Sequence, residues 1–183
     1  MTLRIVGFAG SLSRPSKTRA LVDHAVGRTA ARFGAMAASY DLTDLQPALG
    51  TAVTLDDLAG QPCDAVAALL SADALVIGTP VYKGSYTGLF KHLFDLMDPA
   101  ALAGKPVLLL ATGGGDKHAL VIEHQLRPLF GFFEAATLAT GVYASGGDFT
   151  DGQVTGRGLL ARIDRAVGQF APWLRRDAIA NAA

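Results

Sequence analysis

Short apolar runs alternate with longer amphipathic segments along the chain, and this alternation constrains the fold more than any other feature. The runs predict buried strands at residues 3–8, 35–40, 74–78, 106–111 and 136–142. The segments between and after them predict helices at residues 17–33, 55–70, 85–98, 118–133 and 156–174. Such alternation is typical of right-handed crossovers. It predicts an α/β fold with a doubly wound, five-stranded parallel sheet and helices on both faces.

The length of the chain suits one folding unit. No repeat, low-complexity segment or second boundary interrupts the pattern within the 183 residues. We therefore predict a single domain over residues 1–183, with residues 181–183 as a frayed tail.

Composition disfavours several classes of partner. Lys+Arg and Asp+Glu each number 16, so the chain has no basic excess to neutralise nucleic-acid phosphates or a membrane surface. Hydrophobic residues make up 50% and the mean hydropathy is +0.32, but no apolar run approaches the roughly 18–20 residues of a membrane span. We attribute the apolar surplus to a sheet buried on both faces and to an oligomer interface.

Cysteine usage and the first residues bear on location and chemistry. The single cysteine, Cys63, excludes an internal disulfide and a cysteine metal site, and its ordinary interpretation is a small apolar residue. Residues 1–4 lead directly into a strand and resemble no signal peptide, so we expect a cytoplasmic protein.

The loop after the first strand has the composition of an anion site. Its hydroxyl and cationic side chains are those of Ser11, Ser13, Arg14, Ser16, Lys17, Thr18 and Arg19. Free backbone N–H groups at a helix start, beside such side chains, bind anions. The loop lacks the dinucleotide G-x-G-x-x-G spacing and the G-K-S/T of a P-loop, which leaves a mononucleotide phosphate as the common option. The alternative is an ordinary N-cap by Ser16 with solvated basic residues.

Aromatics and glycines mark the turn from the third strand into the third helix. Residues 80–91 contain Tyr82, Tyr86, two glycines and two lysines. In open α/β sheets this edge is where ligands bind. The segment is suited to holding a flat aromatic ligand.

Three consecutive glycines follow the fourth strand. Gly113, Gly114 and Gly115 let the backbone approach a ligand closely, and their N–H groups suit the carbonyl and ring positions of a flavin. The alternative is a flexible linker. Because all three loops follow parallel strands, we expect them at one edge of the sheet, around one ligand. Flavodoxin-like folds, with strand order 2-1-3-4-5, bind FMN at such an edge.

These segments resemble the NAD(P)H-dependent FMN reductases, small flavodoxin-like enzymes that supply reduced flavin to two-component monooxygenases. The matching residues are Gly10-Ser11, Pro15-Ser16-Lys17-Thr18, the run from Thr79 to Gly88, and Ala111-Thr112-Gly113-Gly114. The chain is most similar to the branch that serves sulfonate monooxygenases. The resemblance implies a phosphate site at Ser11, Ser16, Lys17 and Thr18, and isoalloxazine contacts at Pro80, Val81, Tyr82, Thr112, Gly113 and Gly114. Ser13, where the family often has arginine, and Lys83 complete the candidate cofactor-binding residues, and Arg14 is a further phosphate candidate.

A proline lies inside the fourth predicted helix. Pro128 lacks the N–H that would bond the carbonyl of residue 124, which predicts a kink or bulge around His124. In the resembled branch some members carry a one-residue π insertion here, at a tetramer interface near the flavin. The resemblance thus implies that His124 contacts the flavin region across subunits and favours flavin exchange. The alternative is a partly buried structural histidine.

The leading function is an enzymatic one. A nicotinamide donor, NADH or NADPH, passes hydride to FMN, and reduced FMN leaves for a partner monooxygenase. The cofactor performs the chemistry, so we predict no essential catalytic side chain and no metal. We also expect a homotetramer, or a dimer. The alternatives are an FMN-bound reductase of quinones, azo dyes or chromate, and a flavodoxin-type electron carrier, which zero net charge disfavours.

Overall fold

Five parallel strand positions form one sheet in the predicted order. A computed structural model describes residues 2–174, so the tail predicted at residues 181–183 lies outside the described residues. The strands are β1 (Arg4–Ala9), β2 (Met36–Asp41), β3 (Ala74–Pro80), β4 (Pro106–Thr112), β5 (Ala136–Thr137) and β6 (Val142–Ala144). Their order is β2-β1-β3-β4-β5, and β6 also pairs with β4; all pairings are parallel. The flavodoxin-like order 2-1-3-4-5 is confirmed.

The fifth strand is broken into β5 and β6 rather than continuous over residues 136–142. Between the two pieces, side chains form hydrogen bonds with backbone groups that would pair with a neighbouring strand in a continuous sheet. Arg127 donates to the carbonyl oxygens of Leu138 and Ala139, and the Gln169 amide oxygen accepts from the N–H of Thr140 at 3.0 Å. These long-range contacts replace sheet pairing at the break.

Helices cover both faces of the sheet. They are α1 (Lys17–Phe33), α2 (Gln61–Ser71), α3 (Gly88–Asp95), a π-helix (Ile122–Leu126) continuing into α4 (Arg127–Phe132), α5 (Arg157–Gly168) and α6 (Ala171–Leu174). A short antiparallel hairpin, β7 (Phe149–Thr150) with β8 (Gln153–Val154), precedes α5. Within residues 2–174, no helix combines the length and the hydropathy needed to cross a membrane.

The sheet separates two cores because neighbouring strand residues point to opposite faces. In β1, Val6 and Phe8 pack with α2, α3 and α4, whereas Ile5 and Ala9 pack with α1 and α5. The first core is rich in phenylalanine, with the Phe90 and Phe94 ring centroids 4.8 Å apart. The fully buried strands explain much of the apolar composition.

Several helix bounds differ from the sequence prediction. Helix α3 ends at Asp95 instead of residue 98, and the segment expected to be helical from residue 118 enters the π-helix only at Ile122. The segment expected to be helical over residues 55–70 is a 3₁₀ turn (Leu55–Asp57) followed by α2, because Gly60 turns the chain with φ of +63° before helix resumes at Gln61. Helix α3 begins at Gly88 instead of residue 85, since the Thr87 hydroxyl caps the N–H of Phe90. The last helix divides into α5 and α6 at Gln169, whose side chain bonds Thr140.

Candidate functional site

The three loops predicted to share a ligand do lie together at the carboxyl edge of the sheet. The N–H of Gly10 donates to the carbonyl of Gly78 at 2.7 Å, joining the ends of β1 and β3. The N–H of Val81 donates to the carbonyl of Thr112 at 2.8 Å, joining β3 and β4. The hydroxyls of Thr18 and Thr112 are hydrogen bonded at 2.6 Å. The first and third loops are therefore in direct contact.

The first loop rests on the aromatic core. The Thr87 hydroxyl donates to the carbonyl of Gly10 at 3.0 Å. A Cβ on Gly10 would lie 2.6 Å from a ring carbon of Phe90, so only glycine fits against this ring. Ser11 is buried, and its hydroxyl accepts from the N–H of Ser13 at 3.2 Å. The loop is thus fixed at its inner end.

Helix α1 begins beside this loop with amides that helix geometry leaves without intrahelical partners. The Ser16 hydroxyl is the N-cap and accepts from the N–H of Arg19 at 3.1 Å. Lys17 and Thr18, at the first two helical positions, keep N–H groups that need an acceptor from outside the helix. The N-cap alternative and the anion-site interpretation are therefore compatible. Ser16 caps the helix, and the amides of Lys17 and Thr18 stay available to a phosphate.

The cations of the first loop differ in their surroundings. Arg14 and Arg19 both bond the buried carboxylate of Asp41, and Arg19 also pairs with Asp23. Burial lowers the pKa of Arg19, but the carboxylates of Asp23 and Asp41 outweigh it and the net shift is upward. Lys17 has no ion pair within residues 2–174; its Nζ lies 5.6 Å from the ring centroid of Phe149. Lys17 is the cation that this loop offers to an anion.

The second loop presents an exposed aromatic on a tight turn. Tyr82 and Ser85 exchange backbone hydrogen bonds of 2.9 and 3.1 Å, and the two residues between them, Lys83 and Gly84, have φ of +53° and +83°. Positive φ at both central positions is typical of a type I′ turn. The turn leaves the Tyr82 side chain 56% exposed, and Pro80 is buried beneath it. Lys83 lies at the tip of the turn.

Some backbone groups of the third loop, the one that contains Gly113, Gly114 and Gly115, are already hydrogen bonded within the protein. The N–H of Gly113 donates to the carbonyl of Ala144 at 3.0 Å, so this amide is not available to a flavin. The Tyr143 hydroxyl donates to the carbonyl of Gly115 at 2.5 Å, and burial, then the charge of Asp116, raises the pKa of this hydroxyl. An ideal Cβ on Gly114 or on Gly115 meets nothing within 4 Å. The open backbone of this loop thus lies at Gly114 and Gly115.

The bulge predicted around His124 is confirmed as a π-helix. The N–H of Arg127 bonds the carbonyl of Ile122, five residues back, and Pro128 follows in the first turn of α4. Gln125 accepts a hydrogen bond from the Ser85 hydroxyl at 3.1 Å, which links the π-helix to the Tyr82 turn. His124 is exposed, which is contrary to the partly buried alternative.

A groove with both apolar and polar lining, the polar part including Lys91 and Asp95, lies between the π-helix, α4 and α3. It has a volume of about 570 Å³, and its lining includes Tyr86, Met97, His124, Pro128 and Leu129. Phe132 lies at its side with 68% of its surface exposed. The groove is open to solvent in the single chain.

The residues of the site fit a flavin mononucleotide. The helix amides, the hydroxyls of the first loop and Lys17 suit a phosphate. Tyr82 and the open backbone of Gly114 suit the face and edge of a planar ring system. Within residues 2–174 there is no group of three or more His, Cys, Asp or Glu side chains that could hold a metal ion.

Sequence reasoning missed three contributors to this edge. Asp41 ends β2, Tyr143 lies in β6, and Gln125 lies in the π-helix. The signal for Asp41 was available, since a charged residue directly after a predicted strand lies at the binding edge. Tyr143 and Gln125 carried no local signal, because their partners are 28 and 40 residues away in sequence.

The strand order and the phosphate-type loop after β1 define a flavodoxin-like protein. More narrowly, the chain belongs to the NADPH-dependent FMN reductase family, whose model matches residues 3–150. It is an NAD(P)H:FMN oxidoreductase, and FMN and a nicotinamide nucleotide are its cofactors.

The relatives are similar over nearly their whole length. The NADH-dependent FMN reductase SfnF of Pseudomonas fluorescens is 44% identical over 170 residues, which span 93% of this chain and 91% of the relative. An FMN reductase (NADPH) of Pseudomonas aeruginosa is 42% identical, over 92% of this chain and 91% of its own. The crystal structure of an oxidoreductase from Corynebacterium diphtheriae superposes with a TM-score of 0.80 at 35% identity, covering 94% of this chain and 97% of that one.

Proposed function

We propose that the enzyme supplies reduced FMN to a separate two-component monooxygenase acting on a sulfonate. The similarity to SfnF and the resemblance to the sulfonate-utilisation branch support this partner. The observation that carries the proposal is that the candidate flavin site, at the carboxyl edge of the sheet, is open to solvent. Tyr82 is 56% exposed, and within the described residues Lys17 is the one cation of the first loop without an ion pair. Such an edge favours exchange of the flavin over permanent retention.

The main contribution of the protein to the reaction is to position the flavin and the nicotinamide donor. We propose that Ser11, Ser13, Ser16, Lys17 and Thr18 hold the phosphate, and that Pro80, Val81, Tyr82, Lys83, Thr112, Gly113 and Gly114 border the ring. Gly113 contributes shape, since its amide is already bonded. The flavin supplies the hydride-accepting chemistry. No side chain needs to move a proton, so stacking of the donor on the ring in a fixed geometry is the main source of rate.

Purified protein is expected to oxidise NADH or NADPH only when free FMN is added. The reason is that an exchangeable flavin acts as a substrate, so the rate saturates with FMN concentration. An absorbance spectrum taken first distinguishes the two enzymatic hypotheses, a reductase that releases FMN and one that keeps FMN bound. A colourless protein with FMN-dependent turnover supports the proposal, whereas a yellow protein that reduces a quinone or an azo dye without added FMN would favour the FMN-bound alternative.

We also propose that one domain spans the chain, that the enzyme is cytoplasmic, and that it assembles as a homotetramer, or as a dimer, through the groove beside His124. The exposed Phe132 and the apolar lining of the groove support an interface there. In this assembly His124 reaches the flavin region of a neighbouring subunit and favours exchange.

Sedimentation at micromolar concentration is expected to show an oligomer, and Phe132→Asp should shift it toward the monomer. A charge introduced into an apolar interface costs free energy in the assembly but little in the separate chain, because Phe132 is exposed there. Met36→Asp is the control, since Met36 is similarly exposed, at 62%, but lies on β2. A monomeric wild-type protein would contradict the proposal.

A further inference from the structure

A buried carboxylate beside the first loop has no role in the function described so far. Asp41, at the end of β2, has a side chain only 1% exposed. One carboxylate oxygen accepts from Arg14 at 2.5 Å and from Arg19 at 3.0 Å. The other accepts from Arg14 at 3.1 Å and from the N–H of Thr43 at 2.8 Å. A buried charge of this kind depends on its partners, since removing them leaves it uncompensated.

The two arginines come from the two parts of the candidate phosphate site. Arg14 belongs to the exposed part of the first loop, and Arg19 belongs to the first turn of α1. At its inner end the loop is bonded to Gly78 and Thr87 through Gly10, but beyond Gly10 the hydrogen bonds of its described backbone are local: Ser11 N–H to the Ala9 carbonyl, and Ser13 N–H to the Ser11 hydroxyl. Arg14 also donates to the hydroxyl of Thr43, beside Asp41. The two-pronged contact of Arg14 with Asp41 is therefore what ties the outer loop to the sheet, and such contacts fix geometry.

The same contacts engage both arginines with carboxylates of the protein. Three carboxylates, those of Asp23, Asp41 and Asp44, lie within 4 Å of their guanidinium groups. Each arginine thus has carboxylate partners of its own, although the Arg14 side chain is 53% exposed. The Arg14–Asp41 contact therefore favours a supporting role in the loop for Arg14 over the direct phosphate contact considered from the sequence.

We propose that Asp41 is a positioning residue for the flavin phosphate: through Arg14 and Arg19 it holds the first loop and the start of α1 in their binding geometry. This inference rests on the proposed role of the residues from Ser11 to Thr18 in holding the phosphate. It assigns Asp41 an effect on flavins that carry a phosphate and none on the ring alone.

The test compares FMN with riboflavin, which lacks the phosphate, by flavin-fluorescence titration of the purified protein. Asp41→Asn is expected to weaken FMN binding about tenfold, because the charge-assisted contacts that order the loop are lost, and to leave riboflavin binding within about twofold. Arg14→Gln should do the same, and it retains Asp41 paired with Arg19 if Asp41→Asn folds poorly. The double variant should bind FMN no more weakly than Asp41→Asn alone, because Arg14→Gln removes a contact that Asp41→Asn has already broken.

Asp23→Asn is the matched control. It removes a carboxylate from Arg19 at the surface, where it is 47% exposed, and leaves the Arg14–Asp41 contact in place. We expect FMN binding within about twofold of wild type, as is usual for surface ion pairs. Thermal unfolding of every variant separates loss of fold from loss of loop geometry.

Each remaining outcome counts against the inference. Tighter FMN binding in Asp41→Asn would show that freed arginines bind the phosphate directly. Equal weakening of FMN and riboflavin would show a general structural role, and multiplied effects in the double variant would show two independent contacts. Lys17→Ala tells the two proposals apart. If it fails to discriminate between the flavins, the phosphate site itself is wrong; if it discriminates and Asp41→Asn does not, only the present inference is wrong.

Discussion

Replacing Gly113 with alanine is expected to lower FMN-dependent turnover by about 100-fold or more, since a displacement of the order of 1 Å at a positioning loop costs that much. A Cβ at this position would lie 2.1 Å from the Tyr143 hydroxyl oxygen, a separation that no relaxed structure allows. Either the glycine loop or Tyr143 has to move, and the Tyr143 hydroxyl also holds the carbonyl of Gly115. Steady-state rates with saturating FMN and NADH measure the effect.

A second substitution makes this prediction specific. Tyr143→Phe removes the clashing hydroxyl, after which the nearest ring carbon is 3.1 Å from the new methyl group. The Gly113→Ala, Tyr143→Phe double variant should therefore recover part of the lost turnover. Gly27→Ala, where a Cβ meets nothing within 4 Å, is the control for glycine replacement and should keep full turnover. Failure of the double variant to recover would argue against a steric cause.

Lys17→Ala is expected to weaken FMN binding by about 10- to 100-fold, the range for a hydrogen bond to a charged group worth about 1.5–3 kcal/mol. The reason is that Lys17 is the loop cation without an ion pair in the described part of the chain, so no protein carboxylate there competes with the phosphate for its charge. Riboflavin binding should change by less than about twofold, because riboflavin has no phosphate. Fluorescence titration of both flavins measures the two effects.

Arg28→Ala provides the comparison for charge. Arg28 lies on the same helix and is 54% exposed, but it pairs with Asp164 far from the loop. Its removal lowers the charge of the protein by the same amount and should leave both flavins unaffected. If Arg28→Ala weakened FMN as much as Lys17→Ala, the effect would come from overall charge and the phosphate role of Lys17 would be wrong.

The centre of the sheet was predictable because its strands are apolar along most of their length. Strands β3 and β4 are buried at every position, so their signal does not depend on distant partners. Helix α1 begins and ends as predicted, since Ser16 caps it and Gly34, with φ of +63°, ends it locally. The position of the π-helix followed from Pro128, which removes a specific hydrogen bond. Local chemistry decided each of these elements.

The remaining features depend on contacts that sequence order does not display. The break between β5 and β6 is held by Arg127 and Gln169, which approach from other elements. The pairing of Arg14 with Asp41 joins residues 27 apart, so the sequence did not display the carboxylate partner of this cation. A cluster of positive residues in the sequence indicates a phosphate site, but the sequence does not show which of these residues are paired with carboxylates in the fold.

The contact between Gly10 and Phe90 couples the candidate site to the core. The backbone of Gly10, in the first loop, lies directly against the ring of Phe90 in the core. A Cβ added to Gly10 would lie 2.6 Å from a carbon atom of that ring. A mutation at either position alone brings a clash or a void, and both reach the flavin edge through the Thr87 hydroxyl bond to Gly10. Enlarging residue 10 therefore requires a smaller side chain at residue 90, so the shape of the candidate site depends on how the core is packed.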